Sequence, residues 1–204
     1  QLGKENNSEK KLEILSLLTD ESFNTSFEEA KFYALKGVTL ADNTNNRQWQ
    51  PRFYEKLGRM YANLMILDSA TYFFDKALNG YTMIKDNKGQ ATTYFKIGWV
   101  LKRKGKIKQA MEEDLKAMKI MEQLNDKNGI AGAMNRVSED LFRQERFDEA
   151  LEYAVKNIAF SKKNKLYEEL SFAYRAAGDV KIAMASPSIA LAYYDSAMLI
   201  MKQI

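Results

Sequence analysis

Alanine recurs at every fortieth position along this chain. It stands in the same phase five times, at Ala30, Ala70, Ala110, Ala150 and Ala190. A long fixed period predicts a row of stacked structural repeats, each of which buries its apolar face against its neighbours. The sequence therefore argues against a single ordinary globular core.

Other residue types keep the same phase as the alanines. Four of the alanines are preceded, at a constant distance in the sequence, by an apolar residue and then a small one. These pairs are Leu57-Gly58, Ile97-Gly98, Val137-Ser138 and Ala177-Gly178. Apolar residues at the spacing i, i+3 and i+7, such as Tyr54, Leu57 and Tyr61, predict one buried face of a helix. Small residues in both helices predict close packing of each helical pair.

This order of residues resembles the tetratricopeptide repeat. Residues 51–90 carry nearly all of the pattern, at Leu57, Gly58, Tyr61, Ala70, Phe74 and Ala77. The resemblance implies an all-α fold, a right-handed α-solenoid of stacked antiparallel helix hairpins. A single array with about five repeats is expected, at residues 11–50, 51–90, 91–130, 131–170 and 171–204. The usual repeat has about 34 residues, so the extra residues are expected to lengthen the helices and the connections between repeats.

The composition excludes several kinds of chemistry. The chain has no cysteine and no histidine, which removes thiolates, disulfides and the commonest nitrogen ligand for zinc. Adjacent carboxylates such as Glu168 and Glu169 point about 100° apart on a helix, so they are expected to be solvated surface. No nucleophile with a nearby base can be assembled. We therefore expect no enzyme, no metal and no cofactor.

In arrays of this family the first helix of each hairpin lines the concave face, and the resemblance thereby selects candidate partner-binding residues. They are Arg52, Lys56, Arg59, Asn63, Phe95, Lys96, Trp99, Arg103, Asn135, Arg136, Phe142, Arg143 and Arg175. Arginine and lysine beside aromatic rings suit an extended peptide with acidic groups. The alternative is that the basic residues are solvated and the rings are buried between hairpins.

Nucleic acid is the competing partner for a basic surface. The pI of about 9.0 is compatible with it, but a net charge of +4 over 204 residues is modest. The chain also lacks a recognisable DNA-reading motif. A protein or peptide segment, acidic in character, is the partner that the sequence favours.

Forty-residue arrays of this type resemble the sensor or docking segments of bacterial signalling and regulatory proteins. The resemblance implies a peptide-binding scaffold with that role. The alternative function is structural, with the chain holding a larger regulator as a dimer through its C-terminal helix. The cysteine-free composition is compatible with an exported or periplasmic segment and with a cytoplasmic one.

The last predicted helix is apolar on more than one side, with Leu191, Met198 and Leu199 among its residues. Solenoids normally end in a helix with a polar outer face. We therefore expect either that the array continues past residue 204 or that this helix meets a partner. Because the chain begins with Gln1, we also expect it to be a fragment of a longer protein.

Overall fold

The computed structural model describes residues 2–202, with side chains from residue 7 onward. Within these residues the chain is all-α, as the sequence predicted, and no strand is present. The helices are α1 (Leu2–Ser22), α2 (Phe27–Asn43), α3 (Trp49–Asn63), α4 (Leu67–Met83), α5 (Asn87–Arg103), α6 (Ile107–Gln123), α7 (Lys127–Arg143), α8 (Phe147–Asn164), α9 (Tyr167–Ala183) and α10 (Pro187–Met201). None of these helices is long and apolar enough to cross a membrane.

The chain divides into two compact units. Unit 1 comprises Gln1–Lys104 and unit 2 comprises Gly105–Ile204. In unit 1 each helix from α1 to α4 packs on the helix that follows it. Unit 2 repeats this order from α6 to α10, and α7 also contacts α9. Each unit is therefore a stack of helices in chain order, as expected for hairpin repeats.

Helices of about 17 residues, joined by short turns, account for the long period of the sequence. The second helices of the hairpins begin at the same interval as the alanines, at Phe27, Leu67, Ile107, Phe147 and Pro187. From α2 onward, each turn contains one residue with a left-handed backbone, with φ between 51° and 74°, and these residues recur every 20 positions. They are Asn45, Met65, Lys85, Gly105, Asn125, Glu145, Lys165 and Ala185. Turns between hairpins therefore resemble those within them, and the expectation of longer connections between repeats is wrong.

Side-chain caps set the start of the first helix in two of the hairpins. The Asp86 carboxylate accepts a hydrogen bond from the Gly89 backbone N–H at 2.8 Å, and Asp126 does the same with Gly129 at 3.0 Å. Each aspartate satisfies a backbone donor that the first turn of a helix leaves without a partner. The first helices of these hairpins thus begin about four residues before the predicted repeat boundaries at 91 and 131.

The recurring alanines lie in the core, since all five are 0% exposed. The glycine that precedes them makes room for a ring. At Gly58 a Cβ atom would lie 2.5 Å from the ring of Phe74 on the paired helix. In the fourth hairpin Ser138 replaces this glycine, and its hydroxyl donates to the Ala150 carbonyl at 2.8 Å. A small residue at this position therefore either makes room for a ring from the paired helix, as Gly58 does, or donates a hydrogen bond to that helix, as Ser138 does.

Candidate functional site

A cavity of about 790 Å³ lies in unit 2 between α7 and α9. From α7 it is lined by Asn135, Arg136, Glu139, Phe142 and Arg143. Together with Gly132, which also lines the cavity, these residues share one face of the helix, because they follow the spacing i, i+3, i+4, i+7, i+10 and i+11. Four of them are predicted partner-binding residues, and the structure brings them together around one cavity.

The opposite wall of the cavity comes from α9. It consists mainly of Glu169, Phe172, Arg175 and Asp179. Arg175 was also a predicted binding residue, and its guanidinium lies over the Phe172 ring, 5.4 Å from the centroid. Phe142, on the α7 wall, packs partly into the core of unit 2. Rings and guanidiniums therefore face the same cavity from both helices.

Glu169 is a lining residue that sequence reasoning missed. It was predicted to be solvated surface, but α9 begins at Tyr167 and places Glu169 in its first turn, beside the cavity. Burial raises the pKa of the Glu169 carboxyl, although the hydrogen bond from Asn135 and the charge of Arg136 act in the opposite direction. The signal that could have found it is the 40-residue period of the helix starts. The helices α5 and α7 begin at Asn87 and Lys127, and one more step of the period places the start of α9 at Tyr167.

A buried polar network holds this wall in place. The Asn135 amide donates to the Glu169 carboxylate at 2.7 Å, and the Asn157 amide donates to Asn135 Oδ1 at 2.8 Å. Asn157 also donates to the Ala131 carbonyl at 2.9 Å and accepts from the Ser161 hydroxyl at 2.9 Å. Both Asn157 and Ser161 are 0% exposed. The network ties α7, α8 and α9 together directly behind the cavity.

The two remaining carboxylates of the lining also accept hydrogen bonds from side chains of the protein. Arg143 donates from Nε and Nη2 to one Glu139 oxygen, at 3.0 and 2.8 Å. The Tyr194 hydroxyl donates to Asp179 at 2.7 Å. All three lining carboxylates, including Glu169, therefore have an internal donor, while each arginine carries five N–H donors.

The other predicted residues lie in unit 1, on α3 and α5. They are Arg52, Lys56, Arg59, Asn63, Phe95, Lys96, Trp99 and Arg103. Lys56 forms an ion pair with Asp20 of α1 at 2.5 Å. Lys96 forms an ion pair with Glu55, whose second oxygen accepts from the buried Tyr81 hydroxyl at 2.9 Å. Two of the predicted cations are thus already paired with carboxylates inside unit 1.

Three arginines of unit 1 lie over aromatic rings instead. Arg52 lies over Trp49 at 5.0 Å, Arg59 over Phe23 at 4.6 Å, and Arg103 over Trp99 at 4.9 Å from the ring centroid. Trp99 packs against a buried core cluster of unit 1. Substitution of Trp99 is therefore expected to affect folding, whatever its effect on binding. Asn63 is exposed and Phe95 is half-buried.

No group of three or more metal-ligating side chains comes together in the part of the chain that the structure describes. The cavity is lined by guanidinium, amide and carboxylate groups and by aromatic rings. Such a surface can form charge-assisted hydrogen bonds and bury apolar groups.

Comparison with known families identifies residues 130–163, which span most of α7 and α8, as a match to the family described as Tetratricopeptide repeat. A comparison with curated proteins finds no match.

Solved structures give the broader similarity. BtubC (BKLC) from P. vanneervenii has 19% identity and a TM-score of 0.82, over 94% of this chain and 80% of that one. The apo form of RapI has 13% identity and a TM-score of 0.83, over 94% and 70% of the two chains. A signal transduction ATPase with numerous domains (STAND) from Pyrococcus horikoshii, which has a tetratricopeptide repeat sensor, has 14% identity and a TM-score of 0.79, over 97% and 31%. At these identities the similarity establishes the fold alone.

Proposed function

Because this chain has the fold of tetratricopeptide-repeat proteins and matches the repeat itself at residues 130–163, we propose that it is a non-catalytic scaffold that binds a segment of a partner protein. The binding site is the cavity between α7 and α9 in unit 2. The observation that carries the proposal is the convergence of Arg136, Arg143 and Arg175 with two phenylalanine rings on one cavity.

The chemistry of the lining favours a segment with acidic and apolar side chains. The three lining carboxylates already accept hydrogen bonds from Arg143, Asn135 and Tyr194. Arg143 uses only two of its five donors in this way, so a partner that brings further acceptors fits best. The rings of Phe142 and Phe172 offer apolar area next to these donors. Rings with adjacent guanidiniums are typical of residues that dominate protein interfaces.

Binding can be measured by fluorescence anisotropy with two degenerate peptide pools. In one pool Asp or Glu alternates with Leu or Phe, and in the other Lys replaces the acidic residues. We expect the acidic pool to bind and its affinity to fall as salt rises, because salt screens exposed charges. Equal binding of both pools, or of neither, would contradict the proposal.

The chain offers a matched pair of variants for this assay. Arg143 and Arg146 each pair with a glutamate three or four residues away, at 2.8 and 2.6 Å, but only Arg143 lines the cavity. Arg143→Ala should weaken binding of the acidic pool by about tenfold or more, the scale of a lost charge-assisted contact. Arg146→Ala removes the same charge and should leave binding unchanged.

We further propose that the scaffold is the sensor or docking module of a bacterial signalling or regulatory protein. Support comes from the fold similarity to the Pyrococcus horikoshii protein, whose repeat segment is described as a sensor. The sequence of the whole gene product tests this role. An adjoining kinase, ATPase or DNA-binding domain is expected, whereas an adjoining metabolic enzyme domain would contradict the role.

A further inference from the structure

One face of α10 carries no charge although it is exposed. Its residues, called here the charge-free face, are Ile189, Ala192, Ser196 and Leu199, which follow the spacing i, i+3, i+7 and i+10. Ile189 is 49% exposed and Leu199 is 61% exposed. Both side chains are large and apolar, so the helix presents hydrophobic area to solvent at two points on this face.

The same face is charged in the other second helices. The position of Ser196 is a lysine in each of them, at Lys36, Lys76, Lys116 and Lys156. The position of Ile189 is polar in all four as well. On α8, Lys156 forms an ion pair with Glu152 at 2.6 Å. Pairs at the spacing i, i+4 are typical of a solvated helix surface. The fifth of these helices, α10, departs from this pattern at both positions.

A further hairpin after α10 would not explain the departure. On α8 the next helix, α9, is already in place, yet the side chains of Glu152 and Lys156 remain 60% and 58% exposed. A following hairpin in the same register would cover Leu191, Met198 and Met201, whose equivalents on α8 are Leu151, Ile158 and Ser161 and are at least half-buried. The charge-free face would stay in solvent. It therefore stays available to another surface.

We propose that a second copy of this chain covers it, with the two α10 helices antiparallel. Along this face a large residue is followed by two small residues and then by another large one, so the pattern is the same in both directions of the helix. An axis at residue 194 would place Ile189 of each copy against Leu199 of the other, and Ala192 against Ser196. The small central residues permit close approach of the helices, and the large ones fill the space at both ends. The contact has two-fold symmetry and closes on itself.

The polar atoms on this face do not oppose burial. The Ser196 hydroxyl already donates to the Ala192 carbonyl at 2.8 Å, so burying it leaves no donor without a partner. The only charged residue of α10 is Asp195, which lies beside the face rather than on it. A second copy therefore brings no like charge onto the contact.

The mass of the protein in solution, measured by sedimentation over a dilution series, tests the proposal. We expect a dimer at about 100 µM, a concentration at which a Kd of about 10 µM gives mainly dimer. Ser196→Lys restores the lysine of the other four helices and should raise the dissociation constant at least about tenfold, because a bulky charge is forced into the close contact. Lysine is a better helix former than serine, so α10 should remain intact in circular dichroism.

Two controls keep the result interpretable. Lys156→Ser makes the converse change on α8 and should leave the dimer unchanged. Leu199→Lys, which copies Lys119 of α6, should dissociate the dimer even if Ser196→Lys fails to fold. A monomeric parent chain overturns the proposal, and so does a dimer that both α10 variants leave unchanged.

Cysteine cross-linking tests the antiparallel register, because the chain has no cysteine of its own. A mixture of Ala192→Cys and Ser196→Cys proteins should form disulfide dimers faster than either variant alone. Identical residues at 192 would be offset by about 6 Å along the helix axis, which places their Cα atoms beyond disulfide reach. Faster cross-linking of either single variant would overturn the register.

Discussion

The two units solve the same packing problem with different chemistry at matching positions, which lie two repeats apart in the sequence. In unit 1 the large ring of Tyr81 lies against Gly89, where a Cβ atom would be only 2.4 Å away. Its hydroxyl reaches Glu55, which also pairs with Lys96. A ring and an ion pair thus connect α3, α4 and α5.

In unit 2 the matching positions hold Asn135, Ser161 and Glu169 in place of Glu55, Tyr81 and Gly89. Ser161 is small, which leaves room for a side chain at position 169. Glu169 occupies that room and lines the cavity, while Asn157 bridges Asn135 and Ser161.

The comparison teaches that the side-chain volumes at two positions of the repeat depend on each other. A large residue on the second helix requires glycine in the first turn of the next helix, and a small residue permits a functional side chain there. The first part of unit 2 still follows the unit 1 pattern with Met121 and Gly129, since a Cβ at Gly129 would lie 2.5 Å from the Met121 sulfur. Of these three hairpins, only the one with serine places a carboxylate at this point.

The largest effect is expected from Asn157→Leu. The substitution keeps the branched outline of the side chain but removes every hydrogen bond of the central amide, including those to Ala131 and Asn135. The loss should lower the free energy of unfolding by about 3 kcal/mol, since buried polar groups are left without partners. Chemical denaturation measures it. Asn164→Leu, at the end of the same helix, serves as the control and should cost much less.

A somewhat smaller effect is expected from Gly89→Ala in unit 1. The added methyl group overlaps the Tyr81 ring and should cost about 1–3 kcal/mol. Tyr81→Ser removes the ring and should make Gly89→Ala nearly harmless, so the double-mutant cycle should show coupling above about 0.5 kcal/mol. Additive effects of the two changes would show that the volumes at these positions are independent.

The sequence predicted those features that depend on one helix at a time. The alanine frame predicted the buried contacts. The family resemblance selected Asn135, Arg136, Phe142 and Arg143, which line one cavity. The ion pair of Lys96 with Glu55 was not predictable, because its partner lies 41 residues away on another helix. Glu169 was missed because its position depends on where α9 starts, and an error of four residues moves it from cavity wall to surface.

The left-handed turn residues were not predictable either. Seven of the eight turns place a residue other than glycine in this conformation, among them Met65, Lys85 and Glu145. Asparagine, at two of the turns, favours this conformation, but methionine, lysine and glutamate carry no signal for a positive φ. The regular lengths of the helices and turns, and not the turn residues, impose this backbone.

A third prediction concerns pH and the unit 2 carboxylate. The pKa of Glu169 is raised in the folded protein. At a pH just above the ordinary pKa of 4.5, the folded state therefore binds more protons than the unfolded state. The stability that protonated Glu169 contributes is full below this pKa and is lost as pH rises through the raised value. Glu169→Gln should remove this decline, which denaturation at a series of pH values detects. An unchanged decline in the variant would assign it to another group.

The smallest effects are expected in the turns, which have a left-handed residue in both units. Ala185→Gly should stabilise the protein by up to about 1 kcal/mol, because glycine adopts a positive φ without the steric cost of a Cβ. Gly105→Ala should destabilise it by about 1 kcal/mol for the same reason. No atom lies within 4 Å of the added methyl at Gly105, so the backbone alone is responsible. Thermal melting of both variants checks the opposite signs.

Mapping of amide chemical shifts by NMR tests the central claim that the unit 2 cavity is the partner-binding site. A single acidic peptide with the pattern of the acidic pool, glutamate alternating with leucine, would be titrated into the labelled protein. We predict that the largest shift changes fall on α7 and α9, around Arg136, Phe142 and Arg175, and that Arg143→Ala weakens the response. Changes concentrated elsewhere, or undiminished in that variant, would contradict the account.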